Sequence, residues 1–240
     1  MEFEGVPPSE TPEPNLDRVS LGLGIALSAF AALMVVSLRA QSGFTAEQDS
    51  DPGRLMAWWL PLFGLGVVAI PIFIERRAAP LRSLGIRRPG LFDITWGVLA
   101  FALAVRAMAT VAPLINRRFP AIHIQMNQLP MLKGWILVIS AAVFEELFFR
   151  GYLIERLEMV AGSTWFAAGL SLMLFAFGHL PAWGPAGAVR NLVWGAFVTA
   201  LYLLRRNLVV CMMMHLAQDA LSIPVLWYAP LKRLFDAINL

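Results

Sequence analysis

Two adjacent glutamates, Glu145 and Glu146, stand with Arg150 in a stretch otherwise apolar enough to cross a lipid bilayer, Trp135-Ile-Leu-Val-Ile-Ser-Ala-Ala-Val-Phe-Glu-Glu-Leu-Phe-Phe-Arg150. Ionisable groups are costly in hydrocarbon and mark function by default. The same holds for His179, which closes the apolar run Ser171 to Gly178, and for His215 with Asp219 in the run that starts at Val209. Three polar insertions in three apolar segments point to one shared site. Its chemistry would be proton transfer: a carboxylate and imidazoles suit general acid–base work.

Helical geometry divides the work. At about 100° per residue, Glu146 and Arg150 (i, i+4) share a face and make a natural ion pair, while Glu145 points elsewhere. Glu145 has no local partner and must meet a group from another helix. If Ala161 and Gly162 mark the turn between two antiparallel helices, Glu145 and His179 lie at nearly the same depth, by a rise of about 1.5 Å per residue. Leu180 and Pro181 follow His179, so its ring sits at a helix C-terminus, where the dipole favours a group that receives a proton. The same arithmetic leaves His215 on the order of 10 Å off that level, to be absorbed by tilt or a bend. Asp219, at i+4 from His215, can orient its ring or hold it as a hydrogen-bond donor.

These residues need helices to carry them. Of the 240 residues 58% are hydrophobic and only 15% charged, and the mean hydropathy is +0.67. That balance predicts an all-α, polytopic transmembrane bundle in the cell membrane, the inner one where there are two. Seven segments are expected: Val19 to Leu38, Leu55 to Ile74, Phe92 to Ile115, Leu132 to Leu153, Thr164 to Leu180, Val189 to Leu204 and Leu208 to Tyr228. Pro224 would make the last into a seventh helix and a short eighth. Residues 1–18 read as an acidic, proline-rich disordered tail without the features of a secretory signal, and 19–240 as one domain without internal repeats. The C-terminal Ala-Ile-Asn-Leu carries no lipidation signal.

The formal charge of +3 comes mostly from arginines between apolar segments, five of them between Glu75 and Gly90. That placement sets membrane orientation and gives no reason to expect nucleic acid. With a cytoplasmic N-terminus the inner loops hold nine Lys and Arg against eight outside, which barely fixes the direction. Cys211 is the only cysteine, so no intrachain disulfide or cysteine zinc site is available. No glycine-rich phosphate loop appears, and no cofactor is expected. Trp58, Trp59, Trp165 and Trp227 read as interface anchors. His123 reads as incidental. Met212 to Met214 and the aromatics Phe148, Phe149, Phe175 and Phe177 read as packing, lipid-facing or cavity-lining residues.

Glu-Glu-x-x-x-Arg (Glu145, Glu146, Arg150), Phe-x-x-x-His (Phe175, His179) and His-x-x-x-Asp (His215, Asp219), in that order within apolar segments, resemble the CAAX protease and bacteriocin-processing family. These are intramembrane glutamic endopeptidases, type II CAAX prenyl protease-like. The likeness covers a motif core of about 138–222. It implies that Glu145, helped by His179, activates a water for attack on a peptide carbonyl, and that His215 and Asp219 stabilise the oxyanion. An ionised Asp219 cannot donate, so its expected part is to fix His215; members of the family are similar in carrying Asn or Asp there. Glu146 and Arg150 hold the site helix together. The implied substrate is a membrane-associated protein or peptide, prenylated in some relatives.

Three other readings stand beside this one. Glu145, His179 and His215 have the ligand types of a catalytic zinc site, although no His-Glu-x-x-His helix is present. A non-catalytic self-immunity or partner-binding protein could keep the fold, but it would tolerate losing Glu145. A proton-coupled transporter would use similar groups, yet repeats and paired broken helices are missing.

Overall fold

The computed structural model describes residues 64–119 and 131–222, with positions 18, 22, 24–26 and 62 of the N-terminal part. The tail, most of the expected Val19 to Leu38 segment, the start of the Leu55 to Ile74 segment, His123, Trp58, Trp59, Trp227 and the end of the last segment with Pro224 lie outside these residues. Among the described residues the chain is all-helical.

α1, Gly64–Ile74, widens over its last five residues into a π-turn, with the Glu75 amide donating to the Ile70 carbonyl at 3.0 Å. Pro71 has no N–H to give, which loosens the ordinary i→i−4 ladder there. A 3-10 turn, Arg82–Leu84, follows, ended by Gly85 at φ 75°. α2, Leu91–Arg118, starts at Gly90, whose amide donates to the Asp93 carboxylate at 2.9 Å. α3 covers residues 131–161 in three joined parts: α-helical Met131–Glu146, π-helical Leu147–Ile154 and α-helical Glu155–Ala161. It runs past the expected Leu153 because Glu155, Arg156 and Glu158 are helix formers with partners waiting, and it stops at Gly162 (φ 66°).

α4, Thr164–Gly178, is capped by the Ser163 hydroxyl, which accepts from the Phe166 amide, and ends at His179. α5, Leu180–Arg205, begins nine residues before the expected Val189. Its first turn is set off by a kink at Gly184, whose backbone is non-helical (φ 64°, ψ −172°, before Pro185), so two helical pieces meet there. α6 is Leu208–Ser222.

α4 packs on α5, α2 on α5, and α3 on α4 and α6. The buried centre includes Leu84, Tyr152, Ile154, Phe175, Leu201, Tyr202 and Leu208. Among the described residues two stretches, Leu91–Arg118 and Trp183–Arg205, are long and apolar enough to cross a membrane. Of these two α2 is the less buried among the described residues: 11% of its most apolar window is covered, and Leu91, Phe92, Val98, Leu103 and Leu114 are exposed.

The arginines counted as loop charges turn out to be structural at the end where α1, α3 and α5 finish. Glu75 takes a two-point contact from Arg156 (2.7 and 3.0 Å), a third bond from Tyr152 Oη (3.2 Å) and a fourth from Arg77 (3.2 Å). Burial, then the neighbouring Arg156, pushes the Arg77 guanidinium down to about 10. Asp93 receives Arg205 at 2.8 Å and Asn207 at 3.1 Å, and Glu155 receives Arg206 at 2.7 Å. Apart from Glu75–Arg77, these pairs join elements far apart in sequence, so side chains lock this end where the connections are short.

Candidate functional site

At the other half of the bundle, α3 presents its two adjacent glutamates to different neighbours, as the 100° advance requires. Glu145 turns toward α4, where its Oε2 lies 3.7 Å from His179 Nε2. Both side chains keep a little exposure, 12% and 14%. Glu146 is fully buried and turns toward α6 and its own Arg150. Its Oε1 accepts from Arg150 Nη1 at 3.0 Å and from His215 Nδ1 at 2.8 Å.

The contact between Glu146 and His215 corrects the depth arithmetic that set His215 well off the level of the glutamates. The physical reason lies just after Glu146. Eight residues of π-helix, with i→i+5 bonding, gain less height per residue than an α-helix and so shorten part of that offset. Asp219 is at 3.4 Å from His215 Nε2, so the nearest partner of the ring is the glutamate 69 residues away, not the aspartate one turn away.

The His179 ring is fixed by its own helix. Its Nδ1 lies 2.7 Å from the Phe175 carbonyl oxygen, which can only accept, so Nδ1 carries the hydrogen. In the neutral ring Nε2 then offers a lone pair toward Glu145. Two acceptors facing one another at 3.7 Å are beyond direct bonding and repel unless a donor joins them. Phe175 itself is a hub: its ring lies 4.7 Å from that of His179, 6.4 Å from that of His215 and 4.4 Å from the Arg150 guanidinium.

Arg150 is almost fully buried and every nitrogen has a role. Nη1 serves Glu146, Nη2 donates to the Gly195 carbonyl at 3.2 Å, and Nε donates to Thr199 Oγ1 at 3.4 Å. Gly195 and Thr199 of α5 belong to none of the sequence motifs. Their one signal was a small and a hydroxyl residue one turn apart in an apolar segment. Glu145, Glu146, Arg150, His179, His215 and Asp219 are thus gathered from α3, α4 and α6 around Phe175. Among the described residues no group of three or more His, Cys, Asp or Glu is arranged to hold a metal ion.

Residues 127–221 match the family described as Type II CAAX prenyl endopeptidase Rce1-like. The match spans under half of the chain and contains every one of the motif residues above. No curated protein and no solved structure matches the chain.

Proposed function

We propose that this chain is a multi-pass intramembrane endopeptidase of the glutamic type, a reading supported by the match of residues 127–221 to the Type II CAAX prenyl endopeptidase Rce1-like family. The observation that carries the reading is the opposed pair Glu145 and His179, 3.7 Å apart with acceptors facing each other. A water held there gives one hydrogen to Glu145 and the other to His179 Nε2, which turns its oxygen lone pair outward as a nucleophile. As the oxygen attacks a peptide carbonyl, Glu145 takes its proton. The proton then passes to the departing amine, the C–N bond breaks, and a carboxylic acid and an amine leave.

The second unit serves the carbonyl oxygen. His215 gives its Nδ1–H to Glu146, and its Nε2, 3.4 Å from Asp219, is the nitrogen whose hydrogen a developing oxyanion would share with that carboxylate. Glu146 and Arg150 act as the fixed support of His215. The substrate class is a peptide bond in a membrane-associated protein or peptide, of the CAAX kind or a processed bacterial peptide. The outward apolar face of α2 supports the bilayer as its surroundings.

The test compares newly formed peptide termini in membranes from cells that express the wild type or Glu145→Gln at equal abundance. Termini present with the wild type and missing with the variant are expected, and they name the targets. Identical profiles with both proteins folded would overturn the protease reading in favour of a binding or immunity role.

A further inference from the structure

α5 contributes no group to the motifs, yet it meets the site at one point. Gly195 lies where three helices converge. A Cβ built there would come within 3.1 Å of Arg150 Nη2 on α3, and within 2.9 Å of Leu172 and 3.0 Å of Phe175 on α4. These distances are below ordinary contact, so the missing side chain is what allows the guanidinium and the Phe175 ring to meet at 4.4 Å. The Gly195 carbonyl then accepts from Arg150 Nη2, and one turn on, Thr199 Oγ1 accepts from Nε. Arg150 has no freedom left to choose its direction. Its third nitrogen goes to the Glu146 oxygen that also receives His215.

We propose that Gly195 and Thr199 are positioning residues: they set Arg150, and through the Arg150–Glu146–His215 chain they set the direction of the His215 ring. The proposal rests on the protease reading for its catalytic consequence, but its structural content is independent of it. Through Phe175, Gly195 also sets the helix that carries His179, so a single added methyl disturbs both units at once. Thr199 acts through Arg150, so its first effect is on the His215 unit.

The experiment uses the full chain in detergent micelles, labelled with ¹⁵N-histidine; with three histidines in the chain, His→Gln variants assign the signals. The Nδ1 proton of His215, bonded to a carboxylate, gives a far-downfield resonance. In Gly195→Ala that resonance is expected to shift or vanish, and in Thr199→Val to shift, while Thr199→Ser restores the wild-type signal. Gly169→Ala, where a Cβ meets open space, is the control. Cleavage of a farnesylated peptide ending in a CAAX sequence gives the second readout. There kcat is expected to fall about 10²-fold in Gly195→Ala with KM nearly unchanged, the cost of misplacing a reacting group.

An unchanged His215 resonance in folded Gly195→Ala and Thr199→Val overturns the proposal, whatever the activity. Should Gly195→Ala fail to fold, the Thr199→Val and Thr199→Ser pair decides alone. A shifted resonance in variants of a wild type that cleaves no peptide upholds the positioning chain and moves the failure to the protease reading.

Discussion

Glutamine at position 146 keeps the size of the side chain and removes only its charge. Glu146 is fully buried, and its Oε1 carries the two hydrogens given by Arg150 and His215 at 3.0 and 2.8 Å. Arg150, itself 1% exposed, is left as a buried cation without its counter-charge. Breaking one side of such a pair costs about 3–5 kcal/mol. At about 2–4 °C per kcal/mol for a chain of this size, the melting temperature should fall by about 6–20 °C. A tryptophan-fluorescence melt in detergent micelles measures it. Glu145→Gln, melted alongside, should change little, because Glu145 is partly exposed and its His179 contact is 3.7 Å long. Replacing both partners, Glu146→Leu with Arg150→Met, should recover part of the loss, since an apolar pair leaves no buried charge. A Glu146→Gln protein that melts within about a degree of the wild type would refute the claim that this carboxylate supports the site.

In the same proteins, Glu145→Gln should lower cleavage about 10²–10⁴-fold with folding retained, read on the peptides whose new termini vanish in that variant. Gly151→Ala brings a Cβ to 2.7 Å from the Leu84 carbonyl oxygen and 2.8 Å from Leu208. It should cost about 1–3 kcal/mol in the melt without changing which termini form. Glu75→Gln leaves Arg156 and Arg77 without their shared carboxylate at the far end of the bundle. A loss of about 3–5 kcal/mol is expected there, with the His215 resonance unmoved.

What the sequence makes legible is what helical spacing controls. The i, i+4 pair Glu146–Arg150 and the different directions of Glu145 and Glu146 follow from one angle per residue. The facing of Glu145 and His179 follows from counting along two helices joined at Gly162. What spacing cannot show is partnership across many residues. Glu75 and Arg156 are 81 positions apart, Asp93 and Arg205 are 112 apart, and neither pairing is visible until the helices are assembled. The π-helical stretch after Glu146 has no sequence signal that separates it from an α-helix, so the contact of Glu146 with His215 stayed hidden. The early start of α5 was masked by Pro181 and Pro185, which read as a connection but sit in a first turn and at a kink.

α4 has a consequence for the lipid around it. Its fifteen residues, Thr164–Gly178, reach only about 22 Å at 1.5 Å per residue, against a hydrocarbon core of about 30 Å. Placed in a bilayer, a helix so short draws the headgroups inward on its own flank, a local thinning that costs fractions of a kcal/mol per Å. On the membrane placement proposed above, His179 closes that helix, so the thinning would fall beside the ring that faces Glu145. Hydrophobic mismatch there would bring water toward the pair without a channel.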